Sequence, residues 1–291
     1  MSSGCSLDLQ SACECPARSR SYWRAAREEG PHGDPSYLAL VAWVAAACDG
    51  GLSAARDSTP PHAREWPTKE WPQAAPESQG FDATGLIEAL KTGRDTGAFH
   101  SLLIVRHGSV VLDAYAYPYD GSIYHDLRSV TKSVITTLVG IAASQGMLDL
   151  DAPVVSFFPD RTIEDRERKE PITVRHLASM TSGLACLMRN AEEVTLEQIQ
   201  ASPDWVQFVL DLDPVAEPGT TFSYCSPGMH LLLAIVQQAT GMSTLEFARA
   251  NLFDPLGIDD VYWPADPQGV TFGWSELALH PRAAKLGLLF L

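Results

Sequence analysis

The feature that most constrains the fold is an apolar helix that begins at a Ser-x-x-Lys pattern, Ser129 to Lys132, and continues through residues 135–143. This helix is apolar on nearly every side, so it has to be buried between layers of structure. A serine and a lysine three residues apart share one helical face, which places the ammonium group beside the hydroxyl. A hydroxyl needs an adjacent base to become a nucleophile, and a lysine in apolar surroundings can supply that base. The backbone N–H of Ser129, at the helix N-terminus, has no intrahelical partner and can bind a developing oxyanion.

The spacing of this pair is weak evidence when it is taken alone, because Ser and Lys three residues apart also occur by chance. The alternative interpretation is a serine and a lysine at the exposed start of an ordinary helix. Other motifs in the chain have to decide between the two.

The composition limits the classes of protein to which the chain can belong. A chain of 291 residues with 45% hydrophobic and 20% charged residues can bury a large core. The net charge of −15 argues against nucleic acid as a partner, because binding phosphates requires basic patches. The six cysteines show no C-x-x-C spacing and no H-E-x-x-H motif is present, so neither a zinc site nor a disulfide framework is expected.

The first 66 residues are predicted to lie outside the folded domain. They form a polar tail, an apolar run at 37–48 and part of a linker rich in Pro, Ser, Ala and Gly. The run has the length of a secretory signal and ends Ala-Ala-Ala-Cys48, which resembles a bacterial lipoprotein cleavage site. A lipidated Cys48 would attach an extracytoplasmic protein to a membrane. The alternative is a short buried helix in a cytoplasmic protein.

Hydrophobic patterning predicts the secondary structure of the folded domain, 67–291. Asp82 is expected to cap a helix, and residues 101–106 and 109–115 to form a β-hairpin around His107-Gly108. The helix that carries Ser129 should stop at Gly146. A helical lobe at about 148–260 follows, with helices at 174–180, 196–210 and 228–240, a capping box at 243–246 and a solvated charged loop at 161–170.

Four motifs together resemble those of the β-lactamase-like, penicillin-recognising serine hydrolases of class C type. In chain order they are Ser129-Val-Thr-Lys132, His176-Leu-Ala-Ser-Met-Thr-Ser-Gly-Leu184, Pro218-Gly-Thr-Thr-Phe-Ser-Tyr224-Cys-Ser226 and Asp254-Pro-Leu-Gly-Ile258. The chain looks most similar to esterases, D-aminopeptidases and 6-aminohexanoate-dimer hydrolases. The joint order of the four motifs is far more specific than any single motif. The resemblance covers roughly residues 67–291.

This resemblance implies a fold, a reaction and a set of site residues. The fold would be an α/β lobe with an antiparallel sheet plus an all-α lobe, with the site between them. Ser129 would be the nucleophile that becomes acylated, Lys132 its partner, and Tyr224 the residue that carries the proton to the leaving group. Whether Lys132 or Tyr224 takes the first proton stays open. No metal or cofactor is implied, and the substrate would be a small ester, amide or peptide-like molecule.

Two departures from the family pattern affect this interpretation. Ser226 stands where the family has the Asn of its Tyr-x-Asn element, so a hydroxyl replaces the amide that would contact substrate. The family's Lys-Thr-Gly or His-x-Gly strand is not found, and Lys285-Leu-Gly matches instead a helix that precedes it. We therefore expect a C-terminally truncated member in which the sheet is incomplete. Residues 1–291 expressed alone should be poorly soluble and show little turnover.

The remaining candidates are expected to be structural. Cys186 and Cys225 are predicted to be two buried free thiols rather than a disulfide. His125 and His176 should form structural hydrogen bonds, because the Ser-Lys-Tyr set already supplies proton transfer. Three tryptophans are expected to pack rather than line a pocket: Trp205, Trp263 and Trp274.

The sequence therefore predicts a serine hydrolase that cleaves an ester or amide through an acyl-enzyme on Ser129. Within that class, a D-Ala-D-Ala carboxypeptidase or a β-lactamase is the alternative. From a different class, the chain could be a catalytically dead binding protein or an inactive fragment that keeps the fold.

Overall fold

The computed structural model describes residues 70–97, 99–189 and 192–283. The apolar run at 37–48, Cys48 and Lys285 lie outside these residues, so the predictions on them stay predictions. No helix within the described ranges is both long and apolar enough to cross a membrane.

The chain divides into two compact units, and the described part of the smaller one is 76–97 together with Phe99. It contains a 3-10 turn, Pro76–Gln79, and helix α1, Ala83–Asp95. The carboxylate of Asp82 accepts hydrogen bonds from the N–H groups of Thr84 and Gly85, which otherwise lack partners at a helix start. The predicted cap is confirmed.

The larger unit begins with the predicted β-hairpin. Strands β1, Ser101–Arg106, and β2, Ser109–Tyr115, pair antiparallel from Ser101 opposite Tyr115 to Arg106 opposite Ser109. The turn residues His107 and Gly108 both have positive φ, 51° and 79°, as a tight hairpin turn of type I′ requires. The main chain at 72–74 lies along β2 through hydrogen bonds with Val110. Within the described ranges, no strand pairs with the other edge of β1.

Two helices form the centre of the core in the larger unit. Helix α2, Val130–Ser144, packs against a second long helix, Ser226–Thr240, which is buried along most of its length. As predicted, α2 stops at Gly146, whose φ of 72° is readily reached only without a Cβ. Gly241 ends the second helix in the same way, with φ of 69°.

Shorter elements complete the larger unit. The short strands are β3 (His125–Asp126), β4 (Met188–Arg189), β5 (Glu192–Glu193) and β6 (Ala278–Leu279). The short helices are α3 (Arg166–Lys169), α4 (Val174–Ala178), α5 (Val194–Ala201), α6 (Trp205–Leu210) and α8 (Thr244–Ala248). The long helix Ser226–Thr240 is α7 in this order. Two further turns of helix, Val154–Phe157 and Arg249–Phe253, are 3-10 and π in form. β3 pairs antiparallel with β6, and β4 with β5. The predicted capping box at Ser243 and Glu246 opens α8.

The predicted single helix over 196–210 is wrong, because the chain forms two helices there, α5 and α6. Pro203 lies between them and offers no N–H for an intrahelical hydrogen bond. The side chain of Asp204 then accepts from the N–H of Gln207 and starts α6 as a new N-cap.

The predicted solvated loop at 161–170 is wrong at its end, where α3 forms and Lys169 is only 3% exposed. Its ammonium donates to the carbonyl oxygens of Glu164 and Leu210, each 2.7 Å away. Burial lowers the pKa of Lys169, although the nearby carboxylates of Asp211 and Asp165 oppose that effect.

The tryptophan and histidine predictions agree with the structure. Trp205, Trp263 and Trp274 are buried, and Trp205 packs against Trp274 with ring centroids 5.0 Å apart. His176 closes the N-terminal cap of α4, and His125 hydrogen-bonds the carbonyl of Ile123. Both histidines are therefore structural hydrogen-bonders.

Candidate active site

Ser129 is the N-cap residue of α2, and its side chain is exposed. The preceding turn is fixed by Asp126, whose Oδ1 accepts hydrogen bonds from the N–H groups of Arg128 at 2.8 Å and Glu276 at 2.9 Å. The N–H of Ser129 has no partner among the described residues. The serine therefore lies at the open end of a buried helix, with a free backbone donor beside its hydroxyl.

The structure places Lys132 directly beneath that serine. Its Nζ lies 3.2 Å from Ser129 Oγ and 2.8 Å from the carbonyl oxygen of Trp274, and the side chain is 7% exposed. A carbonyl oxygen only accepts hydrogen bonds, so Lys132 must donate one N–H to Trp274 whatever its charge. That bond holds the amine in place next to the serine.

Tyr224 completes the arrangement from a distant part of the chain. Its Oη lies 2.8 Å from Ser129 Oγ, and Lys132 Nζ lies 5.0 Å from the centre of the phenol ring. The structure thus brings three of the four predicted site residues into direct contact. A hydroxyl between a lysine and a tyrosine has two neighbours that can accept its proton, the lysine as a neutral amine and the tyrosine as a phenolate.

The loop before Tyr224 is supported by the Met-Thr-Ser-Gly-Leu motif. Ser223 donates its N–H to the carbonyl of Met180 at 2.9 Å, and Val215 donates to that of Gly183 at 2.8 Å. Gly183 has φ of 75°, and a Cβ there would collide with the carbonyl oxygen of Ala216. The motif therefore serves as a scaffold that lets two backbone segments approach closely.

Ser226, the fourth predicted site residue, is the first residue of α7 and is only 2% exposed. Its N–H donates to Oε1 of Glu193 at 2.6 Å. The role predicted for Ser226 in substrate binding stays a prediction.

Cys186 and Cys225 are joined in a disulfide, so the prediction of two free thiols is wrong. Cys186 follows the Ser-Gly-Leu turn, which runs beside the segment that leads to Tyr224. The Cα atoms of the two cysteines are 5.3 Å apart, within the range that a disulfide spans. The two cysteines are 39 residues apart in the chain, and that spacing does not distinguish a disulfide from two free thiols in contact.

Glu193 and the Trp274 carbonyl were missed by reasoning from the sequence. The carboxylate of Glu193 accepts from the backbone N–H of Ser226, and the backbone carbonyl of Trp274 accepts from Lys132. A backbone carbonyl leaves no signature in the residue type, and no motif in the sequence marks Glu193.

One group of candidate metal ligands converges within the described ranges: Cys186, Glu193 and Cys225, whose ligand atoms lie within 4.8 Å of one another. Because the two sulfur atoms are bonded to each other, neither is a thiolate that could bind a metal.

Comparison of folds defines the class of the protein. The structure superimposes with a TM-score of 0.61 on a Bacillus anthracis protein assigned as a 6-aminohexanoate-dimer hydrolase, at 20% identity, covering 76% of this chain and 62% of that one. A penicillin-binding protein homologue from Pyrococcus abyssi gives a TM-score of 0.55 at 21% identity, covering 72% and 56%. The chain therefore has the β-lactamase/transpeptidase-like fold, with mixed α and β structure and small antiparallel sheets, as predicted.

The family follows from the sequence match. A protein-family model described as Beta-lactamase matches residues 83–282, which is more than half of the chain. The chain therefore belongs to that family. This is the family that the four motifs resembled in the sequence.

Similar proteins carry several names. The chain is 34% identical over 133 residues to "Penicillin-binding protein 4" of Amycolatopsis lactamdurans, covering 45% of this chain and 33% of that protein. It is 28% identical over 201 residues to "Esterase EstB" of Burkholderia gladioli, covering 62% and 50%. The chain thus matches between a third and a half of the length of these two relatives.

Proposed function

We propose that the protein is a serine hydrolase that cleaves an ester or amide through an acyl-enzyme on Ser129. The observation that carries this proposal is the position of Ser129 Oγ, 2.8 Å from Tyr224 Oη and 3.2 Å from Lys132 Nζ. Both distances allow direct proton transfer from the hydroxyl as it becomes a nucleophile.

The reaction proceeds in two steps. The hydroxyl proton of Ser129 passes to the phenolate of Tyr224 or to the neutral amine of Lys132 while Oγ attacks the carbonyl carbon, and the Ser129 N–H donates to the developing oxyanion. Collapse of this intermediate breaks the bond to the leaving group, which takes up the proton and departs. Water then attacks the acyl carbon, returns its proton through the same groups and releases Ser129.

An ester substrate fits this site better than a peptide-like amide. Position 226, where the Tyr-x-Asn pattern would place an Asn, holds a serine that is 2% exposed. A buried hydroxyl offers less to a substrate amide group than an exposed carboxamide with a donor and an acceptor. The name of the relative EstB supports the same choice.

A penicillin-recognising activity is the second candidate, and the names "Penicillin-binding protein 4" and "Beta-lactamase" among the relatives support it. Three substrates separate these candidates when offered to the full-length protein: p-nitrophenyl butyrate, a D-aminoacyl amide and nitrocefin. We expect hydrolysis of the ester to be fastest. Faster turnover of nitrocefin or of the D-aminoacyl amide would contradict the ester assignment.

Ser129→Ala should abolish hydrolysis, and Ser133→Ala is the matched control because Ser133 is an exposed serine one turn along the same helix. A fluorophosphonate should label the wild-type protein but not Ser129→Ala. Lack of labelling in the full-length protein would contradict the enzyme and favour a catalytically dead binding protein.

We also propose an extracytoplasmic location, with Cys48 as a membrane attachment point. The disulfide between Cys186 and Cys225 supports this location, because disulfides persist mainly in oxidising compartments. Metabolic labelling with a radioactive fatty acid tests the attachment. Label that is lost in Cys48→Ser is expected, and the absence of label in the wild type would contradict it.

A further inference from the structure

The two residues that follow Tyr224 are both attached to one neighbouring segment. Cys225 is bonded to Cys186, and the N–H of Ser226 donates to Oε1 of Glu193 at 2.6 Å. We call these two links, the disulfide and this hydrogen bond, the tyrosine clamp. Both lie within three residues of the phenol that contacts Ser129.

The segment that holds the clamp is itself anchored in the core. Leu187 donates its N–H to the hydroxyl oxygen of Thr195 at 2.7 Å, and Val194 donates to the carbonyl of Leu187 at 3.0 Å. Thr195 is fully buried on α5, which packs inward through Ile199. The tyrosine clamp therefore joins the Tyr224 loop to a fixed point in the core.

The backbone of Tyr224 is held on both sides. The residue is only partly buried, and its side chain contacts Ser129 and Lys132. On its N-terminal side the backbone is held by the bond from Ser223 to Met180. On its C-terminal side the tyrosine clamp supplies the attachment.

We propose that Cys186, Cys225 and Glu193 are positioning residues for Tyr224, and that loss of the disulfide slows the reaction at Ser129. This inference rests on the proposed function. Reactivity that needs a proton acceptor 2.8 Å away is sensitive to small displacements, and a shift of about 1 Å can cost up to about 100-fold in rate.

The redox step is simple. A dithiol such as dithiothreitol supplies two electrons and two protons, which convert the S–S bond into two thiols while the reagent becomes its cyclic disulfide. Because both cysteines are buried, reduction should be slow, and the thiols have to be counted after denaturation to show that it is complete.

The experiment compares Cys186→Ala, Cys225→Ala and the double variant with wild type. All are made in a background where the other four cysteines are serine: Cys5, Cys13, Cys15 and Cys48. Two readouts are measured, the rate constant of fluorophosphonate labelling at Ser129 and kcat and KM for p-nitrophenyl butyrate. Rates are normalised to the folded fraction from thermal unfolding.

We expect the three variants to lose the same factor in labelling rate and kcat, about 10- to 100-fold, with little change in KM. Dithiothreitol should lower the wild type to the same level and leave the double variant unchanged. Reoxidation should restore the wild type. A purely structural role would instead reduce the folded fraction and leave the normalised rates unchanged.

Variants of Glu193 provide a second test, in which the disulfide stays intact. Glu193→Gln retains an oxygen that can accept from the Ser226 N–H, whereas Glu193→Ala removes it. We expect the alanine variant to be slower than the glutamine variant in both readouts.

Wild-type labelling at Ser129 together with unchanged normalised rates in the cysteine variants would overturn this inference and leave the proposed function in place. Losses that add in the double variant would overturn it too, because they would show that the cysteines do not act as a pair. Absence of wild-type labelling would contradict the proposed function, and the inference with it.

Discussion

At the scale of single residues, Ser129 lies in contact with Lys132 and Tyr224, and a backbone carbonyl holds the lysine in place. The order of the four motifs predicted these three side chains, since the helical spacing of Ser129 and Lys132 is weak evidence alone. The acceptor that fixes Lys132 is a backbone carbonyl 142 residues further along the chain, at Trp274. Such a group is invisible in the residue type, because every residue carries one. Glu193, which accepts from the Ser226 N–H, was missed because no motif or spacing in the sequence distinguishes it from the other glutamates.

Removing the phenol of Tyr224 should slow catalysis without unfolding the protein. Tyr224→Phe deletes the Oη that lies 2.8 Å from Ser129 Oγ, and we expect kcat for p-nitrophenyl butyrate to fall about 10²- to 10⁴-fold. Tyr262→Phe is the control, because Tyr262 is 57% exposed and lies outside the proposed set. Equal rates in both variants would exclude Tyr224 from proton transfer.

Asp266 should make stability depend on pH. Burial alone would raise the pKa of Asp266, but hydrogen bonds from His230 Nε2 and the N–H groups of Val270 and Gln268 outweigh it and lower that pKa. A carboxyl group with a lowered folded pKa adds stability above its unfolded pKa, near 3.9, that is lost as the pH falls through the folded value.

The measurement is the free energy of unfolding of wild type and Asp266→Asn from pH 3 to 7. We expect a wild-type advantage of about 2 kcal/mol that is constant above about pH 5 and shrinks below about pH 4. An advantage that grows as the pH falls would contradict the assignment.

At the scale of elements, the hairpin and α2 were predicted, whereas one local break in a helix and one contact between distant residues were missed. The hairpin followed from a His-Gly turn between β-rich runs, and α2 from its apolar length. The break between α5 and α6 at Pro203 was missed because apolar periodicity continued across it. The disulfide was missed because only the fold brings Cys186 beside Cys225.

The close approach of the Trp274 segment to α7 can be tested with glycine substitutions. A Cβ at Gly273 would collide with the backbone of His230, so Gly273→Ala should destabilise the protein by about 1–3 kcal/mol. Because this segment carries the carbonyl that holds Lys132, the variant should also lose activity.

Gly140→Ala is the matched control, because that exposed position in α2 has open space around a new Cβ. It should stabilise by about 0.5–1 kcal/mol. Chemical denaturation measures both variants, and equal stability of Gly273→Ala and wild type would contradict the close approach.

At the scale of the whole molecule, the class was predictable because four motifs stand in a fixed order, and the family match over 83–282 agrees. The edge of the hairpin affects how the molecule should behave in solution. Strand β1 pairs with β2 on one edge only within the described residues, and all six of its residues are partly exposed. Four of them are apolar: Leu102, Leu103, Ile104 and Val105. An open apolar edge of this kind promotes association between chains.

A fragment of the described residues, 70–283, should therefore be poorly soluble when it is expressed alone. The measurement is the soluble fraction after expression, followed by size-exclusion chromatography and hydrolysis of p-nitrophenyl acetate. We expect aggregates or an insoluble fraction. A soluble monomer with hydrolysis that is lost in Ser129→Ala would contradict this prediction.

The most direct test of the central claim is to trap the acyl-enzyme. The full-length protein is mixed with p-nitrophenyl butyrate, quenched in acid within the first turnover, digested and examined by mass spectrometry. The proposed mechanism predicts a butyryl group on the peptide that contains Ser129, at the serine oxygen, and its absence in Ser129→Ala. Turnover with no acyl group on Ser129, or an acyl group on a different residue, would contradict the mechanism.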